Sequence, residues 1–157
     1  QQSVVKDALV AASVGVREEG VTAMHDATEY GLWGGLIEVA RASKVGMRIY
    51  REKIPVQKVV KKVCDAFSEF TGVRIDPFTS ISEGTLIITA RPHKAGDVVK
   101  KLREGGIVAN VIGDVVSERE GIKVVDEDGK EFVLSYPEKD PFWPAFFTTV
   151  KKISEGG

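Results

Sequence analysis

The stretch MHDATEYGLWGGLIEVA, Met24 to Ala40, is where this chain hands a strand over to a helix. VTAM (Val21 to Met24) is short and apolar enough for a buried strand, and Leu32, Leu36, Val39 and Ala40 recur at helical spacing. Backbone N–H groups at a helix start point outward and carry roughly half a positive charge. Glycine lets a phosphate approach the backbone with no Cβ in the way. Asp26, Thr28, Gly31, Gly34 and Gly35 are therefore candidate substrate- or phosphate-binding residues. A carboxylate at Asp26 repels a phosphate unless Mg²⁺ bridges the two or the carboxylate orients a donor. A packing explanation competes. DATE (Asp26 to Glu29) spells a capping box, with Asp26 as N-cap and Glu29 reaching back, and the glycines then serve only close helix–sheet packing. Spacing alone favours packing. Neither a Walker loop nor the Gly-x-Gly-x-x-Gly dinucleotide fingerprint is present.

Outward from this stretch, Val5, Leu9, Ala12 and Val16 predict an amphipathic first helix, ended by Gly20. GMRIYRE (Gly46 to Glu52) alternates as a strand does, and Ile54-Pro55 stops it. Val56, Val59, Val60, Val63, Cys64 and Phe67 form one apolar stripe opposite Lys58, Lys61, Lys62 and Asp65, with Gly72 just past the helix end. TLIITA (Thr85 to Ala90) is a strand. Val98, Val99 and Leu102 mark a further helix closed by Gly105-Gly106. VANVIGDVV (Val108 to Val116) reads as a strand bulged at Gly113, and residues 121–134 as a hairpin turning at Asp128-Gly129. YPEKDPFWPAFF (Tyr136 to Phe147) reads as irregular, packed on the body, with fraying residues after it. Helices alternating with strands early and a hairpin late predict an α+β layered domain, a mixed sheet with helices packed on one face.

The 157 residues fit one domain, 1–157, with 43% hydrophobic and 29% charged residues. The net charge of −1 without a basic run argues against a nucleic-acid binder. No stretch approaches the length of a membrane-spanning helix, and a single cysteine precludes an internal disulfide, so the expected location is cytoplasmic. One asparagine amid many Lys and Glu leans towards a heat-adapted source. The chain opens Gln1-Gln2-Ser3 and runs at once into apolar periodicity, which leads us to expect an upstream portion.

His25 is either a general base, a phosphate donor or a structural residue, and strand alternation puts it on the face opposite Met24 and Asp26. His93, after Arg91-Pro92, reads as a solvated turn residue. Two histidines and one cysteine do not make an ordinary structural zinc site, and no Gly-x-Ser-x-Gly supports a Ser-His-Asp triad. Cys64 reads as a small buried hydrophobe. Glu83, before Gly84, lines a polar site or simply makes a turn. Trp33, Phe142, Trp143, Phe146 and Phe147 are core or interface aromatics, the later four suited to contact with another domain.

In order, these segments resemble the C-terminal domain of the AIR-synthase-related (PurM-like) superfamily, nearest to its HypE hydrogenase-maturation branch. Met24, Asp26, Thr28, Gly31, Leu32, Glu38 and Ala40 match, without a gap, that family's Met–(Lys/His)–Asp-Pro-Thr-Arg-Gly-Gly-Leu and Asn-Glu-Ile-Ala segments. KIPV (Lys53 to Val56), SEGTL (Ser82 to Leu86) and VIGDVV (Val111 to Val116) resemble its Ile-Pro-Val, Asn-Glu-Gly and Ile-Gly-Glu-Val segments. The resemblance implies a two-domain, usually dimeric enzyme that uses ATP and Mg²⁺ to activate or phosphorylate a small-molecule or carbamoyl-type oxygen. An N-terminal domain, absent from this chain, would carry most ATP and Mg²⁺ ligands, so the isolated chain is expected to bind neither cofactor and to be inactive. The implied partners are that domain, a second copy and a small-molecule or phosphate ligand, but neither nucleic acid nor membrane. Asp26, Thr28, Gly31, Gly34, Gly35 and Glu83 would be the contact residues here. Ala27 stands where the family has Pro, Glu29 where it has Arg and Tyr30 where it has its first Gly. HypE ends in Pro-Arg-Ile-Cys, whose Cys carries the group being dehydrated, whereas no Cys follows Cys64 here. These departures keep two alternatives open: a non-catalytic ligand-binding or assembly domain, and part of a related small-molecule kinase.

Overall fold

A computed structural model describes residues 3–136 and 142–155. In chain order the elements are α1 (Val5–Ala12), β1 (Val21–Asp26), α2 (Gly31–Ser43), β2 (Val45–Tyr50), α3 (Lys58–Thr71), β3 (Leu86–Ala90), α4 (Pro92–Glu104), β4 (Gly113–Ser117), β5 (Ile122–Val125), β6 (Glu131–Val133) and α5 (Phe142–Glu155). Strands β4-β2-β5-β6 form a mixed sheet. β2 runs antiparallel to β4, from Val45↔Ser117 to Ile49↔Gly113, and parallel to β5, from Met47↔Ile122 to Tyr50↔Val125. β1 and β3 stand apart as an antiparallel ribbon that ends on the pair Asp26↔Leu86.

Helix α2 lies between ribbon and sheet. Leu36, Ile37, Met47, Ile49, Val124 and Ile87 share one core, so the helix touches β3 on one side and β2 and β5 on the other. That explains why Gly31 to Ile37 are buried without interruption: a helix packed on both sides has no wet face to keep polar. The other face of the mixed sheet is polar, with Arg48 and Lys123 paired to Glu131 at 2.5 and 3.7 Å. Helix α2 therefore covers one face of this mixed sheet, whereas α1 and α4 pack on the ribbon.

On the far side of the ribbon, α1 and α4 bury Ala11, Val98 and Leu102 against Val21, with Ile88 and Ala90 alongside. The period of two along β3 sends Ile87 to α2 and Ile88 to this second core. The predicted stripe of the first helix does not face the core. Val5, Leu9 and Val16 are exposed, and Ala11 with Val10 and Val14 faces the protein. A small residue sits where helix and strand approach closely, so hydrophobicity alone picks the wrong face.

α3 ends at Gly72, which takes the left-handed conformation that glycine tolerates (φ 75°). Only part of its predicted stripe is covered: Cys64 is buried, whereas Val59, Val60 and Val63 are exposed along an apolar groove of about 350 Å³. His93 belongs to the first turn of α4, whose Pro92 occupies a position where no N–H is required. β4 begins at Gly113 without a bulge there, because Val108–Ile112 do not join the ladder. Pairing is close at that point: a Cβ on Gly113 would stand 2.2 Å from the Arg48 carbonyl oxygen. The hairpin turns at Gly129 (φ 79°) as predicted. The tail is more regular than expected, since Phe142–Glu155 is helical. Residues 137–141, the Phe142 side chain and the last two residues lie outside the described residues. Trp143, Phe146 and Phe147 pack on one another and stay exposed.

Candidate functional site at the β1–α2 turn

Strand β1 continues to Asp26 because its last residues pair with β3, so Asp26 is a strand end and not a helix cap. The capping box does not form. Helix α2 begins at Gly31, after Tyr30 in the left-handed region (φ 54°), and no side chain caps it. Glu29 instead accepts the Thr28 hydroxyl at 2.8 Å.

A second turn runs beside this one. The Ala27 amide donates to the Thr85 carbonyl (3.0 Å), and the Ser82 amide to the Thr28 carbonyl (3.1 Å). Ser82 and Thr85 hydroxyls bond at 2.8 Å, and Gly84 takes φ 82°. These bonds bring the Asp26–Thr28 and Ser82–Glu83 segments to one rim. Asp26, Glu29 and Glu83 are exposed there, and Thr28 is half-buried.

The glycines have a different place. Gly31, Gly34 and Gly35 are buried beneath the rim. A Cβ on Gly31 would stand 2.4 Å from the Ser80 carbonyl oxygen, one on Gly34 2.4 Å from that of Glu29, and one on Gly35 2.6 Å from Ile87 Cδ1. The amides of Gly31, Trp33 and Gly34 already donate to the carbonyls of Thr28, Phe78 and Tyr30. The close-packing explanation of these glycines is thus realised, and their amides are occupied by the chain itself.

His25 faces α2, opposite to Met24 and Asp26, as alternation requires. Its Nε2 lies 2.6 Å from Glu38 Oε2, and the Tyr136 hydroxyl donates to Glu38 Oε1 at 2.5 Å. Arg41 lies over the Tyr136 ring at 5.3 Å, and the Tyr30 ring sits 5.7 Å from it. The Tyr136 and His25 hydrogen bonds hold the Glu38 carboxyl below its ordinary range. Burial, then the Glu38 carboxylate, pushes the Tyr136 phenol up to about 12. Spacing alone does not single out Glu38 or Tyr136; the signal for Glu38 was its match to the Asn-Glu-Ile-Ala segment. Cys64 is buried, its sulfur 3.7 Å from the Ser80 hydroxyl, as expected of a small core residue. Among the described residues no group of three or more His, Cys, Asp or Glu is placed to hold a metal ion, and no helix is long and apolar enough to cross a membrane.

Residues 2–126, from α1 to the end of β5, match the family model of the AIR synthase related protein, C-terminal domain. The chain belongs to that family. Among relatives of this AIR-synthase-related domain, a hydrogenase expression/formation protein of Methanocaldococcus jannaschii is 32% identical over 80% of this chain and 37% of its own length. Carbamoyl dehydratase HypE of Escherichia coli is 30% identical over 78% of this chain and 35% of its own length. The crystal structure of E. coli HypE superposes with a TM-score of 0.73 at 26% identity, covering 90% of this chain and 41% of that one. A HypE–HypF complex gives 0.69 at 26% identity, over 85% and 41%. HypE in complex with ATP gives 0.63 at 27% identity, over 77% and 37%. The chain thus spans about two fifths or less of the length of the proteins it matches.

Proposed function

We propose that this domain closes the substrate side of an ATP-dependent, HypE-like active site, with the rim of Asp26, Thr28 and Glu83 contacting the substrate. One observation carries the reading. Two segments that match the family's motifs, far apart in sequence, are hydrogen-bonded side by side and present polar groups to solvent at one rim. The names of the relatives supply the chemistry: a carbamoyl dehydratase, and a homologue solved with ATP. In that reaction a phosphoryl group moves to a carbamoyl-type or other small-molecule oxygen, and catalysis comes from positioning and electrostatics.

The rim does not fit a triphosphate. Its side chains are carboxylates and hydroxyls, and the amides of Gly31, Trp33 and Gly34 are taken. ATP and Mg²⁺ therefore belong to a companion domain, and Gly31, Gly34 and Gly35 contribute shape. Asp26 acts as an acceptor that orients an N–H or O–H of the substrate. The companion domain and a second copy are the proposed partners, in the cytoplasm. The HypE–HypF complex extends the list to a HypF-like protein that would dock on the assembled enzyme.

The test is turnover of Mg·ATP by the product of the whole gene with an S-carbamoyl cysteine peptide, wild type against Asp26→Asn. A kcat lower by about 10²-fold, the usual worth of a misplaced substrate, supports the reading. Absence of turnover in the wild type overturns it. The retention of Thr28 by Glu29 favours a second reading, a non-catalytic ligand-binding or assembly domain, which that outcome would leave standing.

A further inference from the structure

Behind the rim lies a hydrogen-bonded row that the proposed positioning role does not use. Tyr136 donates to one oxygen of Glu38, and the other oxygen meets His25 Nε2 at 2.6 Å. With its first oxygen already accepting, an ionised Glu38 is an acceptor towards the ring, so Nε2 carries the proton. That leaves Nδ1, on the ring's opposite edge, as the nitrogen with a free lone pair. Nδ1 lies 3.9 Å from Oδ1 of the rim residue Asp26, beyond hydrogen-bond distance. Across the ladder His25 faces Ile87, which is apolar and buried. Among the described residues, the charged and titratable groups around the imidazole are Asp26 on β1, Glu38 on α2 and, through Glu38, Tyr136 with Arg41 over its ring and the Glu29 charge nearby. The His25 side chain is about one-third exposed, open enough to exchange a proton and enclosed enough to keep one orientation.

We propose that His25 and Glu38 form an acid–base dyad, in which His25 Nδ1 is the proton-transfer atom of the rim and Glu38, latched by Tyr136, is its positioning residue. The assignment rests on the substrate-side reading above. A substrate N–H or O–H, oriented by Asp26, gives its proton to Nδ1 as the substrate oxygen bonds the γ-phosphorus of ATP and the bond from that phosphorus to the departing ADP breaks. The ring then carries a proton on each nitrogen, the positive charge lying against the Glu38 carboxylate. The same proton returns from Nδ1 to the leaving group or to water, which restores the neutral ring. A well-placed general base contributes about 10²–10⁴-fold to rate.

Two measurements test the dyad. In the 157-residue chain, long-range ¹H–¹⁵N spectra are expected to show a proton on His25 Nε2 and none on Nδ1, with a slowly exchanging, downfield Nε2–H that disappears in Glu38→Gln. A proton on Nδ1, or a signal indifferent to Glu38→Gln, overturns the dyad. In the whole gene product, His25→Ala is expected to lower kcat about 10²-fold or more with KM within about twofold, and added imidazole to restore part of it. Glu38→Gln is expected to lower kcat less than His25→Ala does, with a modestly lower melting temperature, because the carboxylate bonded to Tyr136 and His25 also contributes to stability. Wild-type turnover with an unchanged kcat in His25→Ala overturns the dyad alone. Absence of wild-type turnover overturns both this inference and the substrate-side reading.

Discussion

Trp33 and Phe78 are joined twice: their ring centroids lie 4.9 Å apart, and the Trp33 amide donates to the Phe78 carbonyl at 3.1 Å. Both side chains are buried. This pair fastens the 76–82 loop over the start of α2 and so sets the floor of the rim. Arg51 braces the loop from outside, over the Phe78 ring at 5.1 Å and paired with Asp76 and Asp126 at 3.2 and 3.4 Å. Phe78→Ala is expected to cost about 3–5 kcal/mol, the range for removing a buried aromatic ring. Urea denaturation measures it; a loss below about 1 kcal/mol would show that the loop is not anchored there.

The two kinds of glycine should separate by mutation. Gly31 has φ 57°, and its Cβ would meet the backbone oxygens of Ser80 (2.4 Å) and Phe78 (2.7 Å). Gly31→Ala adds left-handed strain to an overpacked site and is expected to cost about 2–4 kcal/mol. A Cβ on Gly35 would be overcrowded only by the end of the Ile87 side chain, which can turn aside, at 2.6 Å, with Ala27 at an ordinary 3.4 Å, and Gly35→Ala is expected to cost about 1 kcal/mol. Thermal melts of the two variants test the order, and equal costs would contradict it.

Stability should depend on pH through Glu38 and Tyr136. Glu38 is held below its ordinary 4.5, so its contribution is present above that pH and lost as pH falls through the lower folded value. Tyr136 is pushed from 10 to about 12, so its contribution is full below pH 10 and lost as pH rises through about 12. Tyr136→Phe removes the largest cause of the Glu38 shift, and the phenol itself. Its acid limb should flatten and its alkaline limb between pH 10 and 12 should shrink, both read from denaturation midpoints. An unchanged profile would mean that the bond does not form in solution.

Charge at the rim is set partly by Glu29, which holds the Thr28 hydroxyl. Glu29→Arg frees that hydroxyl and reverses one charge. An interaction of about 1 kcal/mol at an exposed site corresponds to ~fivefold tighter binding of inorganic phosphate. Titration calorimetry at low salt decides it, and equal heats for both proteins would show that Glu29 does not set anion affinity at the rim.

Much of this molecule was legible in the sequence because it is encoded locally. The α2 apolar run, the Gly72 stop and the Asp128-Gly129 turn each rest on residues a few positions apart, and each appears where the chain spells it. That His25 faces away from Met24 and Asp26 followed from the period of two in a strand. Three-dimensional packing decided the rest. DATE makes a fair capping box on its own, but pairing with β3 keeps Asp26 in the strand and the box does not form. Leu9 is the more hydrophobic residue, but Ala11 fits the narrow space against the ribbon. Glu38 reaches His25 and Tyr136 only because α2 crosses beside β1 while the segment after β6 returns to meet it. Spacing rules carry information over one or two turns of chain, whereas the dyad depends on contacts between residues as far apart as Glu38 and Tyr136, which only the closed fold brings together.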